Sequence, residues 1–411
     1  MTKKSPMLAA ILLTSCCAYS QEIKFPKIDT HPLPADYSFF QNHITTSTFR
    51  FDDNERNGFQ MDFRNCDLSG YDLNDNRDMM YASFNSKTKF PAELPKGFEP
   101  VKILELGKNP GLGLRQLHAG GITGKGIGIG IIDQSLLVEH VEYADNLRLY
   151  EEIHCLGCNV SSMHAPAVAS IAAGKTIGVA PGADLYFIGQ TNGNKSSEGV
   201  FEFDLGSIAQ SINRLITINK QLPKERKIRV ISISLAMVKQ WKGYDEAIEA
   251  IQNARQNGIF VLTVEDENFR VDGLERLPLA NPDNKDVFSA GLMFCGNQEG
   301  SGNDTLQVPM DSRTLADPNG KEDYYFSRIG GQSWIIPWTA GLYALACQVD
   351  ADITPEAFWT AALETADAVS FRKAGKTYTL NKVVNPVKLI AKIQATKTTN
   401  TSEKTKIQKK P

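Results

Sequence analysis

From about residue 101 onward, short apolar runs alternate with amphipathic segments, and this alternation constrains the fold more than any other feature of the chain. Runs this short, and this rich in isoleucine and valine, are typical of strands buried on both faces of a parallel sheet. The predicted fold class is therefore α/β, with a central parallel sheet and helices on both of its faces. The runs are residues 127–132, 185–188, 230–235 and 259–264, with a fifth candidate at 287–291.

Two segments between the runs have helical periodicity. Apolar residues share one helical face between Leu205 and Ile216, and again between Tyr244 and Ala254. Gly258 follows the second segment, where a glycine commonly ends a helix. Ligand sites in parallel sheets lie at the carboxyl ends of the strands, so Asp133, directly after the first run, is a site candidate.

The first twenty residues have the pattern of an export signal. Lysines at positions 3 and 4 precede an apolar core, residues 7–13, which is too short to span a bilayer, and small residues follow. Two cleavage sites stay open: one makes Cys16 the lipidated first residue of a bacterial lipoprotein, and the other leaves Gln21 first after ordinary secretion. Either one predicts export from a bacterial cytoplasm, to a secreted or periplasmic form or to a lipid-anchored one.

The remaining chain divides into three parts. Residues 22–100 lack helical periodicity and are predicted to be a propeptide, a small accessory domain or an extended wrap; residues 66–73 loosely resemble a pentapeptide-repeat coil. The strand–helix alternation assigns residues 101–394 to the main domain. Residues 395–411 are polar with almost no apolar side chains, which predicts a disordered tail.

Composition excludes some partners. A net charge of −3 provides no basic footprint, so nucleic acid is not an expected partner. Cys155 and Cys158 form one Cys-x-x-Cys pair, whereas structural zinc normally has four ligands. A small disulfide or two free thiols are therefore expected in preference to a metal site.

Three residues form a candidate catalytic set. Asp133 ends the first strand, His164 begins an apolar helix rich in small residues, and Ser333 follows the glycine pair Gly330-Gly331 at another helix start. Taken alone, Ser333 would be read as a helix N-cap. The chain order Asp, His, Ser is nevertheless the one that the subtilisin fold uses. His140 and His154 compete with His164 but lack its small-residue helix start.

The segment from about residue 111 to 366 resembles the subtilisin-like serine peptidases, the subtilases of peptidase family S8. Residues 129–134 resemble the family's strand that ends in the catalytic Asp, and 163–171 its His-Gly-Thr-His-Val-Ala-Gly helix start. Residues 178–183 match Gly-Val-Ala-Pro-x-Ala. Residues 333–341 are similar to Ser-Met-Ala-x-Pro-x-Val-Ala-Gly, with Ser, Pro, Ala and Gly in register.

The resemblance implies the subtilisin-like three-layer fold and a serine endopeptidase that acts on a protein or peptide through an acyl-enzyme. Together with the export signal, it predicts an exported enzyme. In this interpretation Ser333 is the nucleophile, His164 the general base and acid, and Asp133 the group that orients His164. The backbone N–H of Ser333 is one oxyanion donor. No cofactor is expected; structural calcium occurs in the family, but no ligand cluster in the sequence assigns a site.

The chain also departs from the family pattern. Gln134-Ser135 and Ala165 replace glycine-containing positions, and the family's oxyanion asparagine, in an Ala-Gly-Asn context, is replaced by the acidic run at residues 265–267. Asn268 is the oxyanion candidate that remains. The alternative function is therefore a catalytically weak or inactive binding protein with a subtilase fold. A nucleotide-binding protein, suggested by the glycines of residues 124–130, is disfavoured because those glycines do not follow the strand.

Overall fold

The structure, a computed structural model, describes residues 24–39, 44–52, 60–292, 304–373 and 375–408, without the side chains of residues 46, 47 and 400–408. The predicted export signal, with Cys16 and both cleavage sites, lies outside the described residues, as does Cys295. Within the described ranges, no helix has the length and apolar character needed to cross a membrane.

Eight α-helices lie in the described part of the chain. They are α1 (Pro100–Gly107), α2 (Leu114–Ala119), α3 (His164–Ala173), α4 (Gly206–Gln221), α5 (Tyr244–Gln256), α6 (Gln332–Val349), α7 (Pro355–Thr365) and α8 (Pro386–Gln408).

The strands of the first half of the described chain are β1 (Lys27–Ile28), β2 (Phe84–Asn85), β3 (Gly128–Asp133), β4 (Leu147–Glu152), β5 (Asp184–Gly189), β6 (Gly193–Lys195), β7 (Phe201–Phe203) and β8 (Ile228–Ala236). Those of the second half are β9 (Phe260–Val264), β10 (Val271–Glu275), β11 (Ser289–Ala290), β12 (Leu306–Pro309), β13 (Arg313–Ala316), β14 (Tyr324–Ser327), β15 (Asp367–Lys373) and β16 (Lys376–Val383).

The central sheet has six parallel strands in the order β1-β4-β5-β3-β8-β9. Its strand β3 lies in the interior of the sheet and all six of its residues are buried. Strands β3, β5, β8 and β9 correspond to the four predicted apolar runs. The predicted α/β fold with a central parallel sheet is confirmed.

Two apolar cores cover the two faces of this sheet. Ile129 and Ile131 of β3 pack into a core that includes α3 and α6, whereas Ile132 packs into a second core with α4 and α5. Gly130 allows the close approach of α4, because a Cβ atom there would lie 3.0 Å from Leu215. The arrangement is the predicted three-layer one, and α4 and α5 are the two amphipathic segments recognised in the sequence.

The region before residue 100 is built into the sheets of the main domain. Strand β1 adds to the edge of the central sheet beside β4, and β2 pairs with β14. Between them, Phe63 N–H donates to Ser83 O at 2.8 Å and Leu68 N–H to Lys89 O at 2.7 Å, as in a short coil of about two turns. Phe326 of β14 packs into the apolar core of this coil. In the structure this region is an extended segment that leads into a small coil, and its role as a propeptide or as an accessory part stays a prediction.

Two local predictions were wrong. The run at residues 287–291 is not a strand of the central sheet, because a turn that begins at Asn284 places Ser289–Ala290 in a separate five-stranded sheet beside β10. Helix α8 continues to Gln408, past residue 395 where a disordered tail was expected. Threonine hydroxyls of this segment donate to carbonyls four residues earlier, and Lys397 donates to Val349 O at 2.7 Å.

Candidate catalytic site

Asp133 lies at the carboxyl end of β3, where the strand leaves the sheet between β5 and β8. Its side chain is buried, and Oδ1 accepts the backbone N–H of Gln134 at 2.8 Å. The same carboxylate contacts Nδ1 of His164, at 2.8 Å from Oδ1 and 3.0 Å from Oδ2. The two residues are 31 positions apart in the chain, and the sheet topology brings them together.

His164 is the first residue of α3, a helix whose following residues are all buried small or apolar ones. The Ser162 hydroxyl accepts the N–H of Ala165 at 3.1 Å and so caps the first turn. Burial disfavours the imidazolium, but the charge and hydrogen bond of Asp133 more than offset this effect and raise the pKa of His164 above its ordinary value. A neutral His164 that donates from Nδ1 to Asp133 keeps Nε2 as a proton acceptor.

Ser333 is the second residue of α6, and the next residue, Trp334, brings this helix start beside the histidine. The Trp334 and His164 rings have centroids 5.3 Å apart at an interplanar angle of 33°. The Ser333 hydroxyl lies 3.5 Å from the carbonyl oxygen of Ser234, and the Ser234 hydroxyl donates to Ser333 O at 2.9 Å. Within the described residues, no hydrogen bond joins Ser333 to His164. The structure therefore pairs Asp133 with His164 and leaves the Ser333 hydroxyl with another partner.

The competing histidines have other partners. Nε2 lies within 3.0 Å of a backbone carbonyl oxygen in each of His118, His140 and His154. His31 is exposed, with Nδ1 3.7 Å from Glu139, and His43 lies outside the described residues. Among the described histidines, only His164 contacts Asp133. This geometry agrees with the selection of His164 over His140 and His154, which was made from its small-residue helix start.

The acidic run follows β9 directly. Glu265 is exposed and has a left-handed backbone with φ of +59°, a region that favours glycine. Asp266 pairs with Arg255 at 2.9 Å and also accepts the backbone N–H of Asn268 at 2.8 Å. The Asn268 side chain is exposed. These contacts fix the shape of the turn through Asp266 and leave Asn268 at its outer surface.

A cavity of about 250 Å³ separates this run from the start of α6. Its walls combine carboxylates from the loop after β9 with apolar side chains of α6, and Gln332, the residue before Ser333, also contributes. Asn268 is not among the lining residues. They are Thr263, Val264, Glu265, Asp266, Glu267, Phe269, Arg270, Val271, Asp272, Thr305, Gln332, Ile335 and Ile336.

Cys155 and Cys158 form a disulfide with a Cα–Cα distance of 5.6 Å, which is one of the two states left open by the sequence. With Glu152 they are also the one group of three metal-ligand residue types that lies close together in the described ranges. Cysteines in a disulfide offer no thiolate to a metal ion. Cys66 and Cys347 are buried thiols.

Two residues of the site were not singled out in the sequence. Ser234 holds the first turn of α6 through the two contacts described above, and Trp334 packs against the His164 ring. A serine inside the apolar run 230–235, and an aromatic residue directly after a candidate nucleophile, were the available signals. Neither signal is specific, because serines and tryptophans occur at many helix starts and strand ends.

The family comparison covers the part of the site that contains Asp133 and His164. The model described as "Subtilase family", of peptidase family S8, matches residues 124–265, so this part of the chain is similar to the subtilases, a family of serine-type peptidases. The match contains Asp133 and His164 and ends at Glu265, before Ser333. The resemblance drawn from the motifs is confirmed.

Solved structures similar to this chain include three at 15% identity. The prenylagaramide maturation protease PagA has a TM-score of 0.45 over 68% of this chain and 98% of its own. The subtilase cytotoxin SubAB assembly has 0.46 over 73% and 95%, and the patellamide maturation protease PatG has 0.43 over 68% and 92%.

Proposed function

We propose that this protein is an exported serine endopeptidase that cleaves protein or peptide substrates through an acyl-enzyme formed on Ser333. The single observation that carries the proposal is the Asp133–His164 pair, with Nδ1 2.8 Å from a buried carboxylate, at the carboxyl edge of a subtilase sheet. A buried carboxylate that accepts a hydrogen bond from one ring nitrogen fixes the orientation and tautomer of the ring. The other ring nitrogen is then free to accept a proton.

In the proposed mechanism, Nε2 of His164 takes the proton of the Ser333 hydroxyl as the oxygen attacks the substrate carbonyl. The serine must first leave the Ser234 carbonyl, and a long contact of 3.5 Å offers little resistance to this rotation. Catalytic hydrogen bonds are often absent in a free enzyme and form in the substrate complex. His164 then protonates the leaving amine, and water releases the acyl group by the reverse sequence.

The tetrahedral intermediate needs hydrogen-bond donors for its oxyanion. The backbone N–H of Ser333, in the first turn of α6, is free of an intrahelical acceptor by the geometry of a helix start and can supply one donor. Asn268 remains the side-chain candidate for a second donor. Its exposure, and its place outside the cavity next to α6, lead us to expect a small contribution from it.

An unstructured protein substrate tests the proposal. We expect wild-type protein to cut a disordered protein such as casein at internal peptide bonds, and Ser333→Ala to lose at least about 10³-fold in kcat/KM. Ser370→Ala, an exposed serine on β15, is the matched control and should keep full activity. Equal hydrolysis by wild type and Ser333→Ala would assign the activity to another residue or to a contaminant.

A second candidate function is a binding protein with little or no turnover. It is favoured by the acidic loop, because carboxylates at Glu265 and Glu267 would repel an oxyanion, and by the Ser333 hydroxyl facing Ser234. A wild type that binds unfolded polypeptide but produces no fragments in the same assay would support this function over the peptidase.

Export is part of the proposal and rests on residues 1–20. Mass spectrometry of the mature N-terminus separates the two forms: a lipid-modified Cys16 indicates a membrane-anchored lipoprotein, and an unmodified Gln21 indicates a secreted or periplasmic protein. A mature chain that still begins at Met1 would contradict export.

A further inference from the structure

A buried carboxylate, Asp311, holds the loop that delivers the proposed nucleophile. Its Oδ1 accepts the backbone N–H of Gly330 at 2.6 Å, three residues before Ser333, and its Oδ2 accepts the N–H of Leu292 at 2.8 Å. The Asp311 side chain is almost completely buried, at 1% exposure. Each oxygen of an ionised carboxylate can accept an N–H, and bonds of this charge-assisted kind are stronger than neutral ones.

The backbone around Asp311 is rigid on both sides. The N–H of Met310 and that of Asp311 both donate to Leu274 O of β10, at 3.0 and 3.1 Å. On the other side, a Cβ atom at Gly330 would lie 2.6 Å from the Met310 carbonyl oxygen. The absence of a side chain at Gly330 thus lets the loop before Ser333 lie directly against Met310. In this position the Asp311 carboxylate accepts the Gly330 N–H.

We propose that Asp311 is a positioning residue for Ser333, and that its ionised carboxylate fixes the Gly330–Gln332 loop in the register that presents the serine to His164. This inference rests on the proposed peptidase function. It concerns a residue outside the Asp, His and Ser set, on the connection between β12 and β13.

Because Asp311 must be ionised to accept both N–H groups, its hold on the loop before Ser333 depends on pH. Burial raises the pKa of Asp311 to about 7, although Arg328 and the two N–H donors favour the charged form, and Glu275 opposes it. Arg328 itself pairs with Glu275 at 3.1 Å, so its charge is partly neutralised. When Asp311 is protonated, its hydroxyl faces one N–H donor and one of the two bonds is lost. Asp311→Asn imitates that state, because its NH₂ group also faces an N–H.

The test compares kcat/KM of wild type and Asp311→Asn from pH 5.5 to 9. The wild type should exceed the variant by about tenfold at pH 9, and the ratio should fall toward one at pH 5.5, where the wild-type carboxylate is protonated. Titration of His164 affects both proteins and cancels in the ratio. The loss should lie in kcat, with KM changed less than about twofold. A ratio that is constant with pH, or full activity of Asp311→Asn, would overturn the proposal.

Asp317→Asn is the matched control, since Asp317 is also fully buried but bonds to Asn85 and to the Asn319 backbone, away from the nucleophile loop. Its activity ratio to wild type should not vary with pH in this window.

A second readout keeps the inference separate from the peptidase function. Hydrogen exchange, followed by mass spectrometry, should be faster in peptides containing Gly330 in Asp311→Asn than in Asp317→Asn. If wild type hydrolyses nothing, the peptidase proposal fails and the exchange result still decides the role of Asp311. Unchanged exchange at Gly330 would remove that role.

Discussion

The two halves of the candidate site differ in how completely they are assembled. In the half formed by β3 and α3, Asp133 and His164 are already joined by a 2.8 Å contact and the ring is packed against Trp334. In the half formed by β9 and α6, Ser333 faces Ser234, and a strained acidic turn stands where the family has Ala-Gly-Asn. Under the proposed peptidase function, His164 is already positioned as the base in the free protein, whereas Ser333 and the oxyanion donors reach their positions only when a substrate binds.

The family match covers the first half of the site and only part of the second. It spans residues 124–265, which include β3, α3 and β9, and it ends at Glu265, before α6 and Ser333. Beyond residue 265, the likeness to the family rests on the motif at residues 333–341. The comparison predicts that changes in the first half act mainly on catalysis and that changes in the acidic turn act mainly on stability.

The largest effect is expected from Asp133→Asn. An amide donates a hydrogen bond where the carboxylate accepts one, so it would hold His164 in the wrong tautomer and reduce kcat/KM about 10⁴-fold. Because Asp133 raises the pKa of His164, its removal should also lower that pKa and move the acid limb of the residual activity to lower pH. Steady-state kinetics from pH 5 to 9 measure both effects.

Glu152→Gln is the matched control, because Glu152 also ends a strand of the central sheet, β4, but bonds to Tyr150 and Thr30. Its kcat/KM should stay within about threefold of the wild type. If Asp133→Asn were no more harmful than Glu152→Gln, the first half of the site would have no catalytic role.

A smaller effect, on stability, is expected at the acidic turn. Glu265 adopts a left-handed backbone, so Glu265→Gly should increase the free energy of unfolding by about 0.5–1 kcal/mol, after the higher entropy of glycine in the unfolded chain is counted. Urea denaturation measures the change. Glu267→Gly is the control: Glu267 is not among the described residues with a positive φ, so this variant should lose stability. The same sign for both variants would mean that strain at Glu265 does not govern this turn.

The smallest effect is expected from Asn268→Ala. If Asn268 donated to the oxyanion, its loss would reduce kcat by about 10²–10³-fold with little change in KM. Its exposed side chain leads us to expect a change in kcat of less than about twofold. A large selective loss in kcat would show that the turn rearranges around bound substrate, and would make the second half of the site as catalytic as the first.

The sequence predicts the central fold well because its signals are local. Buried parallel strands need continuous apolar runs, and four such runs became β3, β5, β8 and β9. The run at 287–291 has the same composition but forms a strand of another sheet, because the choice of neighbour depends on contacts with β10 that composition does not encode. Likewise, the polar end of α8 continues as a helix, and Lys397 in it contacts the Val349 carbonyl of α6, a long-range contact that composition does not encode.

The contact between Asp133 and His164 was predictable from the sequence. The contact between Asp311 and the loop that precedes Ser333 was not. Asp133 and His164 occur in family motifs, and their contact follows from a strand end and a helix start at the same edge of the sheet. Asp311 lies in no motif, and its bond to Gly330 exists only because the loop folds back against Met310. The edge strand β1 is also invisible in the sequence, since a two-residue strand has no periodicity.

The most direct test of the account is covalent labelling of the wild-type protein by a fluorophosphonate, with the modified residue located by mass spectrometry. Such a reagent phosphonylates a serine only when a neighbouring base activates it. We predict one label per chain, on Ser333, with none on Ser333→Ala and greatly slowed labelling of Asp133→Asn. Labelling at any other residue, or an unlabelled Ser333 in mature protein, would contradict the claim that Asp133 and His164 activate Ser333.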